Sequence, residues 1–140
     1  MGITITATNA SYEFDMGYGG FFNLRRRIAL ALDKDFGENY SDLGTCHTKE
    51  QFEANDRVAE MIIAQKKLDE NYSDVIDFLY ASDCEGKASY KTCRKIYNLI
   101  KDVDFGGLGF RYAAYMHNDY DEFKEFLKEC ATHRRNMRWY

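Results

Sequence analysis

The stretch GITITATNASYEFDMGYGGFFNLRRRIALALDKDF, residues 2–36, decides the fold, because its hydrophobic period changes partway along. Ile3, Ile5 and Ala7 alternate with threonines, and Tyr12, Phe14 and Met16 alternate with Glu13 and Asp15. A period of two with β-branched and aromatic residues predicts two strands, with Asn9-Ala10 as the turn of a hairpin buried on one face. From Phe21 the spacing becomes helical. Phe21, Leu24, Ile28, Ala31, Leu32 and Phe36 share one face, and Gly37 supplies the stop of a helix over about 21–36.

Working outward, Thr48 and Gln51 form a T-x-x-Q capping box for a second helix that buries Phe52, Ala59, Ile62 and Ile63. Ser73 caps a short third helix carrying Val75, Ile76, Phe78 and Leu79, which ends by Gly86. A fourth runs from Ser89 to about Asp104 with Cys93, Ile96, Tyr97, Ile100 and Val103 on its apolar stripe. After Gly106-Gly107-Leu108-Gly109, the alternation of Phe110, Tyr112, Ala114 and Met116 predicts a third strand. Asp119 and Glu122 then cap a last helix striped by Phe123, Phe126, Leu127, Cys130 and Ala131, and residues 136–140 alternate again around Met137 and Trp139. The expected fold is α+β: one domain over residues 1–140, with a small, mainly antiparallel sheet packed against about five helices. That sheet comprises the N-terminal hairpin and two later strands. Glu38-Asn39-Tyr40-Ser41-Asp42 recurs as Glu70-Asn71-Tyr72-Ser73-Asp74, which reads either as a shared turn-and-cap sequence or as a faded duplication.

Composition narrows the function classes. The chain has 140 residues, no proline, 45% hydrophobic and 30% charged residues, which suits a packed globule and not a disordered segment. Its start lacks a basic, apolar and small-residue leader, and no apolar run approaches the roughly 20 residues of a membrane span, so a cytoplasmic protein without membrane contact is expected. The net charge of −4 is unevenly spread: residues 33–85 hold 14 acids and 5 bases, whereas residues 86–140 hold 11 bases and 7 acids. An acidic chain is a poor general binder of nucleic acid, but its acidic middle can steer a cationic partner. The four cysteines form no C-x-x-C pair and are expected as free thiols, Cys93 and Cys130 on apolar faces, with no metal or cofactor set. The three histidines, His47, His117 and His133, fall in no catalytic motif, so no enzyme activity is expected.

Three groups of residues are candidates for binding. Glu50, Glu53, Asp56 and Glu60 lie in the acidic middle, on a helix, and are the expected contact for a basic host protein. Gly17, Gly19 and Gly20, followed by Arg25 and Arg26, have the order of a strand, a glycine corner and a helix start that cradles phosphate, the expected place for a nucleotide ligand. The same residues also fit a plain strand-to-helix corner whose arginines pair with nearby acids, since the Lys-Ser/Thr of a P-loop is missing. Finally, Arg111, Tyr115 and His117 on the third strand would join Arg138 and Tyr140 on the last one, giving a cationic and aromatic sheet face.

The segment from Asp15 to Arg25, with Asp121 to Phe126 and the Met137-Arg138-Trp139-Tyr140 ending, resembles uncharacterised small accessory proteins of gut bacteria and their mobile elements. The resemblance carries no assigned activity and no functional residues. Its setting implies an anti-defence role of the anti-CRISPR kind, exerted by binding a nucleic-acid-handling host protein.

Overall fold

The computed structural model describes residues 2–8, 13–103 and 111–140, and the side chains of these except residues 14 and 111–119. Strands β1 (Gly2–Ala7) and β2 (Glu13–Gly17) pair antiparallel, with Ile3 opposite Met16 and Ile5 opposite Phe14. The predicted hairpin is therefore present, while its Asn9-Ala10 turn lies outside the described residues. A four-stranded sheet of order β2-β1-β4-β3 is completed by β3 (Gly86–Ala88) and β4 (Met137–Trp139). Every pairing is antiparallel, and β4 sits between β1 and β3 with Trp139 facing both Ile5 and Gly86.

Because side chains alternate across a strand, the sheet has two unlike faces. Ile3, Ile5, Ala7, Met16, Ala88, Met137 and Trp139 are buried, whereas Glu13, Asp15, Lys87 and Arg138 are exposed on the other side. The buried face is covered by α1 (Tyr18–Leu32), α4 (Asp69–Tyr80), α5 (Tyr90–Ile100) and α6 (Arg111–His133). Their stripes supply Phe21, Leu24 and Ile28, then Val75, Phe78 and Leu79, then Cys93, Ile96 and Ile100, then Tyr120, Phe123, Phe126, Leu127 and Cys130. Cys93 and Cys130 meet between α5 and α6; their mutual hydrogen bond and burial push the Cys93 thiol up, so it acts as a small protonated filler. Among the described residues no helix is long and apolar enough to cross a membrane.

Several sequence expectations change. The alternation expected as a strand over 110–116 is helical from residue 111 on, because α6 begins at Arg111 and runs unbroken to His133; Phe110 lies outside the described residues. Tyr112, Met116, Tyr120 and Phe123 also fit spacings of 4, 4 and 3, and a helix already required by the 123–131 stripe extends backward through them. Asp119 and Glu122 consequently lie inside that helix and do not cap it. The second later strand is instead β3, whose three residues are too few to show a period.

The first helix is also shorter than its stripe suggests. Asp33 interrupts it with an extended backbone and accepts the Phe36 N–H at 3.0 Å, capping a new helix, α2 (Lys34–Ser41). Gly37 thus sits within a helix and stops none. A Cβ there would stand 2.4 Å from the Leu30 Cα, so glycine is what lets α1 and α2 cross in contact. Finally, α4 starts four residues before Ser73 and bends at Tyr72, whose φ/ψ of −128/21 is not helical. The Glu70–Asp74 echo therefore spans a bend within α4, while its twin spans the end of α2 and a 3₁₀ turn at Asp42–Thr45.

Candidate functional site

Helix α3 (Lys49–Lys66) carries all four acidic candidates. Its start is doubly capped: Thr48 Oγ1 accepts the Gln51 N–H at 3.2 Å, and Gln51 Oε1 accepts those of Thr48 at 3.1 Å and His47 at 2.6 Å. Its end turns off at Lys67, which adopts the left-handed conformation at φ 53 and sends Leu68 N–H back to the Ile63 carbonyl at 3.1 Å. These local bonds explain a long, defined helix whose tertiary support is thin.

Of its 18 residues only Asn55 and Ala59 are buried. Asn55 anchors it to α2 by exchanging amide bonds with Asn39: Asn39 Nδ2 donates to the Asn55 carbonyl at 3.1 Å, and Asn55 Nδ2 to the Asn39 carbonyl at 2.7 Å. At the other end Lys66 Nζ donates to Asp33 at 3.0 Å and Asp35 at 2.7 Å. The face turned away holds Glu50, Glu53, Asp56 and Glu60, all exposed, at spacings of 3, 3 and 4. Lys49 comes within 3.8 Å of Glu53, but both are so exposed that the pair adds little. Phe52, which the sequence pattern places inside, is 43% exposed, and Val58 and Met61 on the same helix are 39% and 52% exposed. Composition pointed to the acids; the exposure of Val58 and Met61 required the tertiary packing.

The Lys66 clasp makes the anchorage pH-dependent. Burial pulls the Asp33 carboxyl upward, but the bonds from Phe36 N–H and Lys66 outweigh it and hold it below its ordinary range. The bonds to Asp35 and Asp33 raise Lys66 above the usual lysine value. A depressed carboxylate stabilises the fold above its unfolded pKa, near 4, and that contribution is lost as pH falls through the folded value; the raised lysine loses its part only above about 10. Amide exchange in α3, corrected for intrinsic rates, is therefore expected to accelerate at pH 3 relative to the core amides of α6. Lys66→Met should reproduce this at pH 7. Equal protection of α3 in both states and in the variant would contradict the clasp.

The glycine corner is not a loop. β2 ends at Gly17, which has an extended backbone at φ −66 and ψ 155, and α1 begins at the next residue, so Gly19 and Gly20 occupy its first turn. A Cβ would meet nothing within 4 Å at Gly17 or Gly19, and only the Met16 side chain at 3.3 Å at Gly20. Arg25 and Arg26 lie six and seven residues beyond Gly19, about 10 Å along the axis at 1.5 Å per residue. Arg25 is buried: its Nη1 donates to the Ala81 carbonyl at 2.8 Å and its Nη2 to the Ser82 carbonyl at 3.3 Å, with the guanidinium 4.2 Å from the centre of the Phe21 ring. Arg26 is partly exposed, with a buried Nε that has no partner among the described residues. The structure does not gather these residues around one phosphate.

Arg111 and Tyr115 belong to α6 and not to the sheet, so the expected cationic strand pair with Arg138 and Tyr140 does not form; their side chains lie outside those described. Arg138 and Tyr140 do share an end of the sheet, with the Arg138 guanidinium 5.1 Å from the Tyr140 ring centre, and their cationic neighbour is Lys87 of β3. No family model, curated protein or solved structure matches this chain.

Proposed function

We propose that the chain is a non-enzymatic binding protein that engages a basic protein through the outward face of α3. One observation carries this reading: an 18-residue helix with both ends secured buries only Asn55 and Ala59, and leaves Glu50, Glu53, Asp56 and Glu60 exposed together with Val58 and Met61. Acidic residues speed encounter with a cationic surface and fix its orientation, while a methionine and a valine exposed on the same helix supply adaptable apolar area that a purely solvating helix does not need. The surrounding segment strengthens the field, with 14 acids against 5 bases over residues 33–85. The resemblance to accessory proteins of gut-bacterial mobile elements directs the search to cytoplasmic, nucleic-acid-handling host proteins, whose phosphate-binding surfaces are basic. Inhibition would follow from occupying such a surface.

The test is affinity capture from host lysate with wild type and a Glu50→Lys, Glu53→Lys, Asp56→Lys, Glu60→Lys variant side by side, followed by titration of the purified partner. The variant is expected to lose binding at least 100-fold while its melting temperature changes by only a few degrees, since exposed helix charges matter little to stability. Met61→Asp should weaken binding about tenfold even at 0.5 M salt, where charge steering is screened. A captured partner bound equally by wild type and the quadruple variant would refute this face.

A further inference from the structure

The outer face of the sheet places two cations directly opposite each other. Lys87 of β3 pairs in register with Arg138 of β4, and both side chains are exposed. Among the described residues neither has an ion-pair partner. Like charges in directly opposed cross-strand positions oppose sheet formation; among the described strand residues the carboxylates on this face, Glu13 and Asp15, sit at the far edge on β2, and Glu85 lies just ahead of β3. A repulsive pair left unneutralised at one end of a sheet is what an anion-binding position requires.

The same end forms a groove of about 520 Å³, to which Lys87, Arg138, Tyr140, Thr8 and Glu85 contribute. That volume falls within the range of small-ligand sites and accommodates one nucleotide. Tyr140 is 52% exposed and offers an aromatic face next to the Arg138 guanidinium. The ionisable side chains lining the groove sum to +1, which favours one phosphate group, about −1.5 to −2 at neutral pH, over the larger charge of a polyphosphate. The floor is rigid: Asn136 accepts Tyr90 N–H on its Oδ1 at 3.1 Å and Thr8 N–H on its carbonyl at 2.9 Å, and Trp139 beneath is tied to the Ser82 carbonyl at 2.9 Å.

We infer that this groove binds a nucleoside monophosphate, with the phosphate between Lys87 and Arg138 and the base stacked on Tyr140. Charge-assisted bonds from a lysine and an arginine select the phosphate, and stacking on tyrosine selects a planar ring without regard to base identity. Glu85, the one carboxylate side chain among the described residues of the groove, is suited to accept from ribose hydroxyls or an exocyclic amine. Phosphate and base could equally come from a nucleic acid strand, but the −4 net charge and the acidic middle disfavour a longer polyanion, so the free nucleotide is the assigned ligand. This site lies on the sheet, whereas α3 is anchored to α2, and the two readings stand or fall separately.

Calorimetric titration with AMP, adenosine, inorganic phosphate and a single-stranded heptanucleotide tests the assignment. AMP is expected to bind at least tenfold more tightly than adenosine or phosphate, and no more weakly than the heptanucleotide at 0.15 M salt. Arg138→Gln should lower AMP affinity at least tenfold and Tyr140→Ala about fivefold, while the quadruple α3 variant binds AMP as wild type does. Lys87→Gln should lower affinity about tenfold while leaving the melting temperature unchanged or raised, because it removes a repulsion. Absence of AMP binding, affinity unaffected by Arg138→Gln, or a heptanucleotide bound more than tenfold tighter than AMP would overturn the proposal.

Discussion

Arg25→Met is expected to destabilise the protein by about 3 to 4 kcal/mol, measured as a shift of the urea midpoint, without involving any phosphate ligand. Arg25 is 5% exposed, and its guanidinium ties α1 to the segment after α4 through the Ala81 and Ser82 carbonyls. Burial pushes its pKa down, with Tyr40 and Asp83 acting the other way, but a guanidinium keeps its proton at any working pH. Methionine keeps most of the apolar stem packed beside Phe21 and Phe78, so the change reads mainly the lost polar contacts. Bonds from a charged donor contribute about 1.5 to 3 kcal/mol each, and an orphaned buried carbonyl costs about 1 to 3 kcal/mol. The Ser82 carbonyl keeps its bond from Trp139 Nε1, so the Ala81 carbonyl dominates the loss. Arg25→Lys should not restore stability, because one ammonium cannot span both carbonyls as a planar fork does. A loss below 1 kcal/mol would mean that Arg25 does not hold this segment.

Gly37→Ala should cost about 3 kcal/mol, at the upper end for overpacking, and should weaken partner binding at the same time. The added Cβ meets backbone, 2.4 Å from the Leu30 Cα and 2.6 Å from its N, so relief demands that α1 and α2 move apart. Since α2 carries α3 through the Asn39–Asn55 exchange, a displaced α2 displaces the acidic face with it. Gly19→Ala is the control. It lies in the first turn of α1 with nothing within 4 Å of its Cβ position, and alanine in a helix is favoured over glycine by about 1 kcal/mol. Thermal melts of the two variants should therefore shift in opposite directions; shifts of the same sign would refute the close crossing of α1 and α2.

The α+β class, the N-terminal hairpin, the Thr48 cap and the stripes of α5 and the second half of α6 were legible because each is a local pattern: a period, or a side chain bonding its own backbone. Local patterns failed where two of them competed. The residues over 111–116 satisfy periods of two and of nearly four, and continuity with the packed helix that follows selects the second. Asp33 fits both a helix interior and a cap, and the crossing permitted by Gly37 selects the cap. The acidity of residues 33–85 belongs to the sequence alone, but whether those charges face water does not. Only tertiary packing leaves α3 with two buried residues, draws Arg25 away from the corner it follows in the chain, and sets Lys87 against Arg138 across 51 residues of sequence. The physical reason is range: hydrogen bonds and hydrophobic periods act between neighbours along the chain, whereas burial and cross-strand register are set by segments whose proximity no local pattern encodes.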